Sequence, residues 1–146
     1  MRVILDANII ISYLLSRQEG GIIRRVVEAC FLRPEIQLVF PQELRQELVD
    51  VWERKVYLHT RIPRHTLEAV LDRVAQIAEV PGFVDAVPAQ TRDAKDDYLI
   101  AYGIVEQVDY LVTGDEDLTI LKQIRGLKIV DPVEFLAMLE LDQLQS

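Results

Sequence analysis

Hydrophobic and polar positions along this chain form two kinds of segment. Short apolar runs suit strands, and longer stretches with apolar residues three and four apart suit helices. Arg2 to Leu5 is a β-branched and aliphatic run that stops at Asp6, and Ile9 to Leu15 then reads as a helix closed by the polar stretch Ser16 to Gly21. A second helix covers Ile22 to Leu32, and Ile36 to Phe40 is the next strand. Pro41 suits the first turn of a helix running to about Arg54, and Pro63 opens another. A residue with fixed φ and no N–H fits where a helix has no acceptor to offer. In the helix after Pro63, the residues Leu67, Val70, Leu71, Val74 and Ile77 share one face. Val80 to Gln90, with Pro81, Gly82 and Pro88, reads as strand and loop together. Helical spacing returns from Ala94 to Glu106, followed by a strand at Asp109 to Thr113 and a short helix at Glu116 to Gln123. Leu127 to Val130 is a further strand and Pro132 to Leu141 a terminal helix.

Alternating strands and helices of this length predict an α/β fold. The expected architecture is a three-layer sandwich, with a central, mainly parallel sheet of about four or five strands and helices on both faces. At 146 residues, half of them hydrophobic, the chain is expected to form a single domain over its whole length without disulfides or a structural metal. The lone Cys30 lies in an apolar helical context and reads as core. The longest apolar runs fall short of the roughly 20 residues that span a bilayer, and no small-residue cleavage site follows Met1-Arg2. A cytoplasmic protein with no membrane partner is therefore expected.

Charge changes the picture. The net charge is −8, yet residues 1–65 carry 10 basic and 8 acidic side chains whereas residues 66–146 carry 6 and 16. A protein holding nucleic acid by its backbone alone would be basic, so this balance disfavours a simple binder; it leaves room for an enzyme that gathers carboxylates around cations.

The acids stand at positions with chemical meaning. Asp6 ends the apolar strand Val3-Ile4-Leu5, and in open α/β sheets ligands bind beyond the carboxyl ends of strands; an aspartate there also caps a helix, and for Asp6 alone the two readings weigh equally. Tyr110-Leu111-Val112-Thr113-Gly114-Asp115-Glu116-Asp117 repeats the design, with Asp115 as a second strand-end acid or a cap. Asp97 lies on the helical stripe of Ile100, Ala101 and Ile104, where a carboxylate is costly unless paired or metal-bound; Asp93 and Asp96 suit a first helical turn. On the helix after Pro41 the apolar face is Leu44, Leu48 and Val51. Glu47 lies about 60° from its centre and Glu43 about 100°, where it would serve the helix N-terminus.

If Asp6, Glu47, Asp97 and Asp115 converge at one edge of a parallel sheet, their repulsion demands cations. An all-oxygen donor set favours Mg²⁺ or Mn²⁺. Two such ions about 4 Å apart can activate water and stabilise a leaving oxygen at a phosphodiester. Asn8 and Thr113 are suited to orienting a carboxylate or a water, whereas His59 and His65, in a basic helix-and-loop stretch, read as solvated surface.

Asp6-Ala7-Asn8 after the first strand, Glu47 on an early helix, Asp97 before Tyr98-Leu99-Ile100-Ala101, and Thr113-Gly114-Asp115-Glu116-Asp117 occur in this order across nearly the whole chain. Together they resemble the PIN domain, and the chain is similar to the single-domain PIN ribonucleases that act as toxins in prokaryotic toxin–antitoxin modules. The resemblance implies a PIN-like fold and an endoribonuclease that hydrolyses RNA phosphodiester bonds with Mg²⁺ or Mn²⁺. It also implies a homodimer restrained by a cognate antitoxin protein. By the family's pattern Asp6, Glu47, Asp97 and Asp115 are the catalytic, metal-binding acids, with Asn8, Thr113 and Asp117 supporting them. Glu43 competes with Glu47, and Asp96 with Asp97. Arg17, Arg24, Arg25, Arg54, Lys55 and Arg61 are candidate phosphate contacts.

Three other readings compete. A catalytically silent binding module would use the acids only as caps. A haloacid-dehalogenase-like phosphatase needs a second acid two residues after the first, where Asn8 cannot carry the proton. A receiver-type phosphoacceptor domain wants an acidic pair after the first strand, where Asp6 stands alone.

Overall fold

Val3, Ile4 and Leu5 are almost wholly buried, as expected of a run apolar on both faces, which is stable only where both faces are covered. In a computed structural model they form β1 (Arg2–Leu5), the centre of the molecule. The structure describes residues 1–16, 20–82 and 97–145, with Asp97, Gln143 and Gln145 as backbone alone. After β1 come α1 (Ala7–Leu15), α2 (Ile22–Leu32), β2 (Gln37–Leu38), α3 (Gln42–Arg54), α4 (Val56–Arg61) and α5 (Arg64–Ile77). The second half contains α6 (Asp97–Val105), β3 (Tyr110–Val112), α7 (Glu116–Thr119), β4 (Gln123–Ile124), β5 (Leu127–Val130) and α8 (Pro132–Gln145).

The five strands lie in the order β2-β1-β3-β5-β4. β1 is parallel to β2 and β3, β3 is parallel to β5, and β4 closes the edge antiparallel to β5. Leu5, Val112 and Val130 stand in register, so β1, β3 and β5 end together. The chain leaves β1 for β2 on one side and returns to β3 on the other. The winding therefore reverses beside β1, and right-handed crossovers send the two sets of connecting helices to opposite faces. α2 packs on α1 and α8, while α6 lies across β3 and β5.

At Gly103 the α6 helix comes so close to the sheet that a Cβ would sit 2.6 Å from Leu127 Cδ2. Gly103→Val should lower stability by about 1–3 kcal/mol through overpacking, read from urea unfolding, and Leu127→Ala in the same chain should recover part of the loss.

Several elements differ from the sequence reading. Ile36 to Phe40 contributes only two strand residues, with Val39 in an isolated parallel bridge to Glu79, because β2 is an edge with one neighbour. A separate helix, α4, follows Arg54, drawn in by Leu58 and Ile62, each 1% exposed. The expected helix at Glu116 to Gln123 stops at Thr119: Lys122 and Arg125 adopt left-handed φ (61° and 53°), and Arg125-Gly126 turns β4 back onto β5. α8 continues past Leu141 to Gln145. The expected strand and loop at Val80 to Gln90 is described only as far as Gly82, and the start of the helix expected from Ala94 also lies outside the described residues. Val26 is core whereas Ile22 is exposed. Cys30 is buried, and burial pushes its thiol up to about 12, in keeping with a core residue.

Candidate active site

Asp6 is the residue after β1, and its backbone N–H donates to Val112 O at 3.0 Å, which ties it to the end of β3. It caps α1 through Asn8 N–H, 3.4 Å from its Oδ1, and accepts the Thr113 hydroxyl at Oδ2, at 2.6 Å. Thr113 is the residue after β3 and is fully buried, so two adjacent strand ends meet side chain to side chain. The same Thr113 oxygen accepts Asp115 N–H at 3.1 Å, and Asp115 Oδ1 accepts Asp117 N–H at 2.9 Å. One hydrogen-bonded chain thus runs from β1 through β3 into α7.

Asp6 is only 2% exposed. Burial raises its pKa, the Thr113 and Asn8 hydrogen bonds pull it down, and the negative charge of Asp115 raises it again. Among the described residues neither Asp6 nor Asp115 forms an ion pair with lysine or arginine. The opposite edge of the sheet is handled differently. There Arg2 pairs with Glu79 and Glu106, and its backbone N–H donates to Asp109 Oδ2 at 2.8 Å. Glu79 and Glu106 are thus neutralised from within the chain, whereas Asp6 and Asp115 at the strand ends have no such partner among the described residues.

The α3 glutamates are held by α6. The Tyr98 hydroxyl donates to Glu47 Oε1 at 2.9 Å, and the Tyr102 hydroxyl donates to Glu43 Oε2. Two glutamates four residues apart meet two tyrosines four residues apart, the spacing that lines up side chains on facing helices. Tyr98 directly follows Asp97, the first residue of α6, so Glu47 sits beside the turn that carries Asp97. Glu43 sits one turn further along.

Of the residues singled out from sequence, Asp6, Thr113 and Asp115 are therefore brought together. Asn8 and Asp117 join through backbone N–H groups, with exposed side chains. Glu47 stands beside the start of α6. The Asp97 side chain and all of Asp96 and Asp93 lie outside the described residues. Sequence reasoning missed Tyr98 and Tyr102, whose signal was their matching four-residue spacing. It also missed Asp131, which follows β5 and caps α8 through Glu134 N–H at 2.8 Å, a third strand-end acid on the same edge.

A hard divalent cation fits this donor set of carboxylate oxygens with a hydroxyl behind them. Among the described residues, buried Asp6 and half-buried Asp115 carry like charge and have no cation of their own. Among the described side chains no three acids, histidines or cysteines gather closely enough to enclose an ion by themselves.

Thr113→Val should remove the bond that orients Asp6. The expected loss is about 10- to 100-fold in divalent-metal affinity by calorimetry, with Thr113→Ser restoring it.

A family model described as PIN domain matches residues 2–117. No curated protein has a matching sequence. Among solved structures, one described as VapBC2 from Rickettsia felis bound to a DNA fragment from their promoter is similar in fold, at a TM-score of 0.61 and 14% identity. That likeness covers 90% of this chain and 98% of the other.

Proposed function

Because this chain belongs to the PIN-domain family, we propose that it is a metal-dependent endoribonuclease that hydrolyses RNA phosphodiester bonds at the strand-end acids. The observation that carries the reading is the buried Asp6 carboxylate, facing Asp115 at the carboxyl edge of β1 and β3 with no described cation to neutralise it. Asp6, Asp115, Glu47 and Asp97 would hold Mg²⁺ or Mn²⁺. Bound there, the ions would supply an activated water and charge stabilisation at the scissile phosphate.

The chain's own groups do the positioning. Thr113 fixes the rotamer of Asp6 by donating to Oδ2, and the Asp117 N–H holds the Asp115 carboxylate as the cap of α7. Tyr98 holds Glu47 beside the start of α6. With water largely excluded from Asp6, its charge acts at low local dielectric, where attraction to a cation is stronger than in solvent.

A toxin of a toxin–antitoxin pair is the biological role we favour, with a cognate antitoxin protein and a homodimeric, cytoplasmic toxin. The similar solved structure is a VapBC2 assembly on promoter DNA, and its match over 98% of that chain supports this role. Among the described residues no helix is long and apolar enough to cross a membrane.

The test incubates purified protein with labelled single-stranded RNA in Mg²⁺ or Mn²⁺, beside a chelated sample and an Asp6→Asn variant. Cleavage should vanish in both controls. Equal cleavage in all three would identify a contaminant, and none in any would favour a silent binding module.

A further inference from the structure

We propose that residues 54–65, the end of α3, α4 and the start of α5, form the surface that holds the RNA backbone on its way to the site, an inference that rests on RNA being the substrate. This stretch carries Arg54, Lys55, Arg61 and Arg64 and no acid; the rest of the chain has 12 basic residues against 24 acidic ones, a balance of −12. A polyanion approaching such a molecule is repelled from most directions and drawn to basic stretches such as this one.

The fold makes the stretch one surface. Trp52, near the end of α3, donates from Nε1 to Ile62 O at 2.9 Å, which bends the chain back over its ring. His59 packs edge-on against that ring at 6.1 Å between centroids, and the Arg64 guanidinium lies over it at 5.0 Å. With Leu58 and Ile62 buried beneath, the cations are turned outward.

Four other arginines are already occupied. Arg2, Arg24, Arg25 and Arg33 each pair with a glutamate, so Arg24 and Arg25 would have to give up an ion pair to contact phosphate; Arg17 lies outside the described residues. Arg54, Lys55, Arg61 and Arg64 have no acidic partner among the described residues. Two exposed apolar side chains sit among them: Val56 at 69% and Tyr57 at 53%. An exposed tyrosine amid cations is what a single strand uses, stacking a base while its phosphates are neutralised.

The distance also suits RNA. From Glu47 to Arg54 is seven residues of α3, about 10 Å at 1.5 Å each, or about three stacked nucleotides at 3.4 Å. A strand lying on this surface would reach the strand-end acids without leaving the protein.

The experiment measures binding of a fluorescein-labelled single-stranded RNA by anisotropy, in Mg²⁺ and across salt concentrations, with Asp6→Asn as the parent so that nothing is cut. Arg54→Gln, Lys55→Gln and Arg61→Gln together leave the Arg64–Trp52 contact intact. They should weaken binding at least about tenfold and lower the log–log salt slope by about 2, at roughly 0.7 per phosphate contact. Tyr57→Ala should weaken binding at least about fivefold with the slope retained. A matched set at the β4–β5 turn, Lys122→Gln, Arg125→Gln and Lys128→Gln, removes the same charge elsewhere. An equal loss there, or an unchanged slope in the first set, overturns the proposal. So does poly-glutamate of matched charge binding as tightly as RNA and being lost in the first set, which would give the surface to an acidic protein. Cleavage by the unmutated protein is followed in parallel. Cleavage with an unchanged slope sinks the surface and leaves the nuclease standing, whereas no cleavage with the slope lost sinks the nuclease and keeps the surface.

Discussion

Asp6→Asn is expected to abolish RNA cleavage while making the metal-free protein harder to unfold. Loss of groups that merely orient a metal ligand lowers activity or affinity 10- to 100-fold, so removing a charged ligand should lower activity at least about 100-fold. Stability should move the other way. Burial first and the charge of Asp115 second raise the Asp6 pKa in the folded state, against the pull of Thr113 and Asn8. The native protein therefore binds this proton more tightly than the unfolded chain. Its contribution to stability is fully present below the unfolded carboxylate value and is lost as pH rises through the higher folded value. Once ionised, Asp6 is a net liability. Asparagine keeps the shape, can cap α1, and carries no charge, so the variant should gain about 0.5–2 kcal/mol in chelator, with the gain growing as pH rises above the unfolded carboxylate value. Mg²⁺ or Mn²⁺ should reverse the order by stabilising only the parent, by about 2.7 kcal/mol at a hundred times the Kd. Urea unfolding with and without metal reads all of this. A variant less stable than its parent in chelator would make Asp6 a structural cap.

The same strand-end logic explains how much could be read in advance. Runs such as Val3-Ile4-Leu5 and Tyr110-Leu111-Val112 are apolar on both faces, which dictates central parallel strands, and the acids that follow them had to share an edge once the register aligned Leu5 with Val112. Cap and ligand could not be separated from sequence because the same geometry serves both. Asp6 and Asp115 do cap their helices, and they do so side by side. What stayed hidden depends on packing between distant segments. The α3–α6 tyrosine–glutamate pairs join residues 51 and 59 positions apart, and nothing local to either helix announces them. The β4–β5 turn was passed over for the opposite reason. Its apolar spacing suits a helix, and only Gly126 and the left-handed residues before it, whose φ cannot be read from side chains, break the pattern.

The paired tyrosines separate the two α3 glutamates, and the second large effect follows. Glu47→Gln should lower cleavage at least about 100-fold, whereas Glu43→Gln should stay within about tenfold of the parent. Both glutamates accept a tyrosine hydroxyl, so hydrogen bonding alone does not distinguish them. Their positions do. Glu47 meets α6 at Tyr98, in the turn that begins with Asp97, while Glu43 meets it at Tyr102, about 6 Å further along the axis. Glu43 also lies in the first turn of α3, where a carboxylate is stabilised by the helix dipole without any metal. Tyr102 is 1% exposed, and Glu43→Ala, which removes an acceptor from its hydroxyl, should destabilise by about 1–3 kcal/mol. Glutamine keeps that acceptor and should keep most of the stability. Tyr98→Phe, which removes the hydroxyl that holds Glu47 Oε1, should weaken metal affinity without matching the loss seen in Glu47→Gln, because the carboxylate remains. Calorimetric metal titration beside single-turnover cleavage distinguishes the cases. If Glu43→Gln loses metal and activity while Glu47→Gln does not, the roles of the two glutamates are exchanged and the site lies a turn closer to Tyr102.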